Sequence, residues 1–332
     1  MPTVDADAHV LEGPHSWVFM EGPFAPQVIL RGGKEYWQIG SESFPKDVNV
    51  GAGTDARARD MRDIGARLKH MDALGIDIQV LYPTMFLRPW TREPAIERAV
   101  CRGYNRWLAD IWRKGGGRLR WVAMLAFRTP SCWREELAFA KEYGACGIFM
   151  RGHEIDRRLT DPYFHPLFAL AGEFDLPVCI HSASGSHLVS DFFGEDNFNK
   201  FKLAVVGSCH ALLIEGVPAL FPKVRWAFIE VSAQWIPYVV NDLSLRFKRR
   251  GRELSKRALS GNSIYVACQA TDDLPYVLAS AGEDCLVVGT DYGHADTATQ
   301  IEALRLVREN RDIPQQAAEK MLCANPARLY GI

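Results

Sequence analysis

Short runs of apolar residues recur along the whole chain, separated by longer stretches in which apolar residues return every three or four positions. Short runs are typical of buried strands, and the longer period is typical of amphipathic helices. Their alternation predicts a protein built from βα repeats. The predicted strands cover residues 3–8, 77–83, 119–127, 146–150, 176–181, 224–230, 263–268 and 285–291.

Two stretches show the helical period most clearly. Residues 55–75 place on one predicted helix face Met61, Ile64, Leu68 and Met71. Residues 95–112 do the same with Ile96, Val100, Tyr104, Leu108 and Ile111. Each pattern predicts one amphipathic helix that packs its apolar stripe against the strands.

Eight strands with intervening helices predict a distorted (β/α)8 TIM barrel of the α/β class. A doubly wound open sheet produces similar alternation, but no GxGxxG sequence follows the first strand, which disfavours a dinucleotide-binding sheet. No linker composition, low-complexity segment or internal repeat divides the chain. We therefore expect residues 1–332 to form a single domain.

An insertion after the first strand interrupts the alternation of strands and helices. Residues 13–55 are far longer than an ordinary βα loop. Within them, residues 27–40 read as a hairpin with Gly32-Gly33 at its turn. The insertion leaves the carboxyl end of the first strand, where barrel active sites are built, so a lid over the substrate is one interpretation. A dimerisation arm is the other.

Charge and composition exclude several classes of partner. The formal net charge is −1, which provides no basic field for nucleic acid or an anionic membrane surface. The chain has no 18-residue apolar run and no signal-like start. Its eight cysteines are spread widely without CxxC pairs, as expected in a reducing compartment. These features predict a cytoplasmic protein.

The first strand carries polar groups at every second position. Asp5, Asp7 and His9 alternate in the segment VDADAH, so an extended strand would place all three on one face. Buried together, they would be unfavourable without a positive charge between them. A metal ion would provide that charge, whereas a solvated surface strand is the alternative.

Two further metal-ligating residue types end predicted strands. His181 closes the fifth strand and Asp291 closes the eighth. In a closed barrel these ends converge with the end of the first strand at one mouth. Asp7, His9, His181 and Asp291 would then form a nitrogen and oxygen set suited to one divalent ion, Zn(II) or Mn(II). Asp5 would lie nearby, directed into the lower core or orienting a ligand.

Several segments together resemble the amidohydrolase superfamily, in the branch of aminocarboxymuconate-semialdehyde decarboxylase and related aromatic-acid decarboxylases. The segments are DADAHVLE, DIQVLYPT, LPVCIH, FPKVRWAFIEVSAQWIPY, VVGTDYGHAD and NPARLYGI, which span nearly the whole chain. The resemblance implies a distorted barrel, one catalytic divalent metal and a homodimer.

The resemblance also implies roles for individual residues. Where the family commonly has His-x-His, this chain has Asp7-Ala8-His9, and the added negative charge shifts the expected metal toward Mn(II) or Mg(II). His181 matches the ligand of the fifth strand. Asp291 matches the aspartate of the eighth strand, which contacts the metal or its water and can move a proton. Glu230 stands where many of the decarboxylases have a catalytic histidine; catalytic base, metal neighbour and salt-bridge partner are its open roles.

Two residues are candidates for contact with the substrate. Arg151 follows the fourth strand and could hold a carboxylate with two parallel hydrogen bonds, although a single arginine there is often surface-exposed. His294 lies three residues after Asp291 and is expected to face the substrate.

The leading functional hypothesis is non-oxidative decarboxylation of a small aromatic or unsaturated carboxylic acid. Asp291, assisted by Glu230, would protonate the carbon that loses carbon dioxide. The alternative is hydrolysis of an amide, lactone or carbon–carbon bond by a metal-activated water. A barrel that binds ligands without catalysis is a third hypothesis, disfavoured because all four ligand positions hold competent side chains.

Overall fold

The computed structural model describes residues 1–20, 22–46 and 48–332. Eight parallel strands form one sheet in which each strand pairs with the next, and all eight predicted strands are present. These barrel strands are β1 (Val4–Val10), β5 (Ile78–Pro83), β6 (Leu119–Ala123), β7 (Ala145–Arg151), β10 (Val178–His181), β11 (Trp226–Ile229), β12 (Ile264–Cys268) and β13 (Leu286–Val288). The remaining strands are β2 (Gln27–Arg31), β3 (Lys34–Ile39), β4 (Glu42–Pro45), β8 (His153–Glu154) and β9 (Arg157–Arg158).

The sheet closes on itself through the residues that follow β13. The backbone N–H of His9 in β1 donates to the carbonyl of Tyr292 over 2.9 Å, and Ala8 bridges Tyr292 in parallel. Because all eight strands run in the same direction, their carboxyl ends meet at one mouth. The predicted (β/α)8 barrel is therefore confirmed.

Helices cover the outside of the barrel between successive strands. The longest, Pro94–Lys114, begins with a proline at its first turn and buries one apolar stripe, as its period predicts. The helices are α1 (Ala56–Arg59), α2 (Ile64–Ala73), α3 (Pro94–Lys114), α4 (Trp133–Glu142), α5 (His165–Glu173), α6 (His187–Phe193), α7 (Ala204–Glu215), α8 (Val217–Leu220), α9 (Ile236–Arg249), α10 (Leu274–Ala281), α11 (Ala303–Glu309), α12 (Gln315–Glu319) and α13 (Asn325–Tyr330).

The single helix predicted over residues 55–75 is wrong. The structure has two helices, α1 and α2, because Asp63 caps the second one: its side chain accepts the backbone N–H of Ala66 over 2.9 Å. Met61, between the two helices, has a φ of 61°, which a helix does not allow. An aspartate favours a helix start more than the interior, so local capping overrides the apolar period here.

The insertion forms a three-stranded antiparallel sheet of its own. The predicted hairpin is confirmed, since β2 and β3 pair from Gln27–Gln38 to Arg31–Lys34 around the two turn glycines, and β4 adds a third strand. Trp37 and Phe44 of this sheet are buried in the main apolar core. The insertion therefore packs on the barrel, and its role as a lid or a dimerisation arm stays a prediction.

Among the described residues, no helix combines the length and the apolar character that crossing a membrane requires.

Candidate metal centre

Six ionisable side chains from four strand ends converge at the mouth of the barrel. All six are buried, with at most 6% of any residue exposed. They reach the mouth from the ends of β1, β10 and β11 and from the loop after β13. The six are Asp7, His9, His181, Glu230, Asp291 and His294.

The inner atoms of this cluster lie within the range of a shared ion. Nε2 of His9 is 3.6 Å from Oδ1 of Asp7 and 3.6 Å from Oε2 of Glu230. Nε2 of His181 is 3.4 Å from the same Asp7 oxygen and 3.2 Å from the same Glu230 oxygen. Oδ1 of Asp291 lies 3.3 Å from Nε2 of His9. These five distances place the five donor atoms around one small space.

Six buried atoms of the cluster have no hydrogen-bond partner: Asp7 Oδ1, His9 Nε2, His181 Nε2, Glu230 Oε2, Asp291 Oδ1 and His294 Nδ1. Buried polar atoms in proteins are almost always paired, so this group calls for a ligand. Burial raises the pKa of Asp7 and of Glu230 well above the usual values, and neighbouring carboxylates raise both further. A divalent cation fits the atoms of Asp7, His9, His181 and Glu230, because it would pair these four and offset the repulsion between the carboxylates.

Both imidazoles present a lone pair to the cluster. Nδ1 of His9 lies 3.0 Å from the carbonyl oxygen of Pro83, which can only accept, so the proton is on Nδ1 and Nε2 is free to ligate. Nδ1 of His181 likewise lies 3.4 Å from a carbonyl oxygen, that of Ser182, which leaves Nε2 free to ligate. Burial lowers the pKa of His181 to about 3, so its imidazole is neutral near pH 7.

Asp291 and His294 form a close pair at the edge of the cluster. Oδ1 of Asp291 is 2.8 Å from Nδ1 of His294, and Oδ2 accepts the hydroxyl of Thr299 over 2.5 Å. The hydroxyl of Thr84 donates to the carbonyl of Val10 over 2.8 Å, so towards Nε2 of His294, at 2.9 Å, it can only accept. Nε2 of His294 therefore carries a proton.

The structure gives His294 two polar neighbours, and its predicted contact with substrate stays a prediction. The residue is 3% exposed, as buried as the rest of the cluster. Thr84 occupies its Nε2, and Asp291 faces its Nδ1. The structure therefore places His294 within the cluster. Burial raises the pKa of Asp291 to about 6, so this pair can hold a proton near neutral pH.

Asp5 does not share the face of Asp7 and His9, contrary to the alternation in the sequence. The register of β1 against β5 shifts between Asp5, which pairs with Gln79, and Ala8, which pairs with Leu81. This bulge adds one residue to β1 and reverses the direction of the side chains that follow. Asp5 instead accepts the N–H of Thr290 over 2.9 Å and its hydroxyl over 2.6 Å, and so fixes the residue before Asp291.

The role predicted for Arg151 is not supported by its surroundings. Its Nε donates to Glu154 over 2.9 Å, its Nη2 donates to the other oxygen of the same carboxylate, and its Nη1 donates to the carbonyls of Phe86 and Arg88 over 3.0 and 2.9 Å. Arg151 is also only 3% exposed. The guanidinium is thus committed to the loop after β5 and to Glu154, which a sequence cannot reveal because that loop is distant along the chain.

Glu230 joins the cluster, and its carboxylate belongs to a group that could hold a metal ion. The apolar run before it placed it at a strand end, where the sequence left open the roles of catalytic base, metal neighbour and salt-bridge partner. Asp296, which sequence analysis did not select, lies near Glu230, and its negative charge helps to raise the pKa of that carboxyl. Asp296 also accepts the amide of Asn49 over 3.1 Å, which connects the cluster to the insertion. Only the folded chain brings these groups together.

Solved structures of similar fold include several amidohydrolases. An amidohydrolase from Mycobacterium avium subsp. paratuberculosis matches with a TM-score of 0.78 and 20% identity, covering 99% of each chain. A 5-carboxyvanillate decarboxylase from Novosphingobium aromaticivorans, complexed with manganese and 4-hydroxy-3-methoxy-5-nitrobenzoic acid, matches with a TM-score of 0.67 and 22% identity, covering 81% of each chain. A 4-oxalomesaconate hydratase from Rhodopseudomonas palustris matches with a TM-score of 0.68 and 15% identity, covering 99% of this chain and 95% of that one.

The search of curated proteins found no match. The identities to the solved structures are low, so these structures show the shared fold alone. A family model described as amidohydrolase, in contrast, matches residues 4–332 of this sequence. The chain therefore belongs to the amidohydrolase family.

Proposed function

We propose that this protein is a divalent-metal-dependent enzyme that removes carbon dioxide, without oxidation, from a small aromatic or unsaturated carboxylic acid. The observation that carries the proposal is the set of four buried, unpartnered donor atoms on Asp7, His9, His181 and Glu230. A metal held there supplies a Lewis acid and a template for the oxygen atoms of the substrate. The manganese in the related decarboxylase structure supports Mn(II), with Zn(II) and Mg(II) as the other candidates.

The proposed chemistry assigns the proton to the pair of Asp291 and His294. The bond between the carboxylate carbon and its neighbour breaks, carbon dioxide leaves, and the electron pair remains on the neighbouring carbon. Asp291, whose pKa burial raises to about 6, then delivers a proton to that carbon. His294, 2.8 Å away, shares the proton with Asp291 before transfer, and Thr299 holds the carboxylate in position.

Hydrolysis is the second candidate, and one observation favours it. The end of β11 presents an acidic group, Glu230, beside Asp291. Two carboxylates at one site suit the removal of a proton from an attacking water. In that reaction Asp291 would accept a proton, whereas in decarboxylation it would donate one.

The test combines metal analysis with product analysis. Purified protein, reconstituted with Mn(II), is incubated with hydroxybenzoates and dicarboxylic acids in D2O without an oxidant. We expect about one metal per chain, carbon dioxide release, and one deuterium at the vacated carbon. Asp291→Asn should lower the rate by a factor of about 100 or more, since it removes the proton donor.

The control is Asp284→Asn, which changes a half-exposed carboxylate paired with Lys320 and should leave the rate unchanged. Turnover of amides or lactones without carbon dioxide release would favour hydrolysis. Absence of bound metal after reconstitution with Mn, Zn and Mg would contradict both reactions.

A further inference from the structure

A small cavity opens beside the metal centre, on the other side of Thr84. Its volume is about 30 Å3, enough for a carboxylate group but not for a ring. Thr84 lines the cavity and its hydroxyl also contacts His294, so this one side chain separates the cavity from the cluster. The other lining residues come from the end of β1, the loop after β5 and the insertion: Leu11, Glu12, Trp37, Phe44, Pro45, Val48, Met85 and Arg88.

Arg88 is the cationic group of this cavity. Its guanidinium carbon lies 5.6 Å from the centre of the Phe44 ring, and Arg88 makes no ion pair or side-chain hydrogen bond with any residue that the structure describes. Glu195 acts on it only through longer-range attraction, while burial lowers the pKa of the guanidinium. A partly buried guanidinium that has an aromatic neighbour but no hydrogen-bond acceptor is unfavourable, and a planar anion would satisfy its N–H groups.

The loop that carries Arg88 is held from both sides. Glu12 accepts the N–H groups of Thr84 and Met85 over 3.1 and 2.9 Å. Arg151 donates to the carbonyls of Phe86 and Arg88 over 3.0 and 2.9 Å. This support fixes the backbone of Arg88 before any ligand arrives, which reduces the ordering cost of binding.

We propose that Arg88 binds a second, non-reacting carboxylate of the substrate, so that the substrate class is a small planar dicarboxylic acid. This inference rests on the proposed function. One acidic end lies at the metal centre, and the other enters the cavity at Arg88. Trp37 and Phe44, both buried residues of the insertion, form flat apolar walls of the cavity. The insertion thereby determines which carboxylates fit.

The experiment measures binding of isophthalate, which has two carboxylates, and benzoate, which has one, by titration calorimetry with Mn-loaded protein. Wild-type protein should bind isophthalate about tenfold more tightly than benzoate. Arg88→Met should lose about tenfold or more in isophthalate affinity and leave benzoate affinity within about twofold, and Arg88→Lys should recover part of the loss. The matched control is Arg92→Met, which removes a half-exposed arginine of the same loop and should change neither affinity.

Equal isophthalate affinity in wild-type protein and Arg88→Met overturns the inference, as does a wild-type protein that binds no isophthalate. If Arg88→Met does not fold, Arg88→Gln gives the same comparison. The proposed function is separable from this result. If the protein binds metal and Arg88→Met does not change isophthalate affinity, the proposed metal enzyme stands and the role of Arg88 is rejected. If isophthalate binding depends on Arg88 but the protein retains no metal, the role of Arg88 is supported and the metal mechanism is rejected.

Discussion

Two carboxylates of the cluster extend from backbone positions in the left-handed region: φ is 62° at Glu230 and 52° at Asp291. Residues other than glycine rarely adopt this conformation, which costs about 1–3 kcal/mol where the surroundings impose it. Such residues persist at functional sites because the backbone directs a side chain that a relaxed strand end would turn away. At both positions the side chain is directed into the cluster.

This strain predicts that Glu230→Gly stabilises the metal-free protein while it weakens metal binding. Glycine accepts a φ of 62° without strain, and the change also removes one of three adjacent carboxylates. We expect the free energy of unfolding after chelation to rise by about 1 kcal/mol, measured by urea titration. Metal content after dialysis should fall well below that of the wild-type protein.

Ser263→Gly is the matched control, because Ser263 has a φ of 53° and lies before β12, away from the cluster. It should gain similar stability and keep its metal. Retention of wild-type metal content by Glu230→Gly would show that Glu230 is not a ligand.

At the scale of elements, the end of the insertion pairs with the loop that carries His294. The N–H of Gly51 donates to the carbonyl of Gly293 over 2.9 Å, and the N–H of Ala295 donates to the carbonyl of Asn49 over 3.1 Å. A β-carbon added at Gly51 would collide with the carbonyl oxygen of His294. The insertion thus supports the loop of His294 directly as well as packing on the barrel.

We therefore expect Gly51→Ala to displace the His294 loop and to lower activity by a factor of about 10 or more, because small misplacements of reacting groups have large effects. Circular dichroism should remain that of the wild-type protein, since the barrel strands are untouched. Gly53→Ala tests the same segment without a collision, because no atom lies within 4 Å of the added carbon, and it should be neutral. Equal activity in the two variants would contradict a supporting role for the insertion.

For the molecule as a whole, the eight cysteines report on the integrity of the core. All eight are free and buried, and burial raises the pKa of Cys146 to about 12. Thiolates are the reactive form, so a native chain should react with almost no thiol reagent. Titration with a chromogenic disulfide should label all eight after denaturation. Rapid labelling of the native protein would indicate an opening of the barrel that this structure does not have.

The predicted homodimer belongs to the same scale and stays a prediction. Leu188, Phe192 and Phe198 are 65%, 82% and 60% exposed in the segment after β10. Light scattering of the purified protein decides the oligomeric state.

The sequence by itself determined the eight barrel strands, the hairpin of the insertion and the strand ends that carry Asp7, His9, His181 and Asp291. These features follow from local periods, from turn glycines and from the general rule that parallel strands end at one mouth. They need only neighbouring residues to be recognised.

The tertiary structure decided the rest. The bulge in β1 separates Asp5 from Asp7, the pairing with Glu154 occupies the guanidinium of Arg151, and the left-handed backbone brings Glu230 into the cluster. Each outcome depends on a register, a partner or a backbone angle that is imposed by packing between distant segments. A linear pattern reports the period of an element, but the energy of burying and pairing a charge depends on what the fold places beside it.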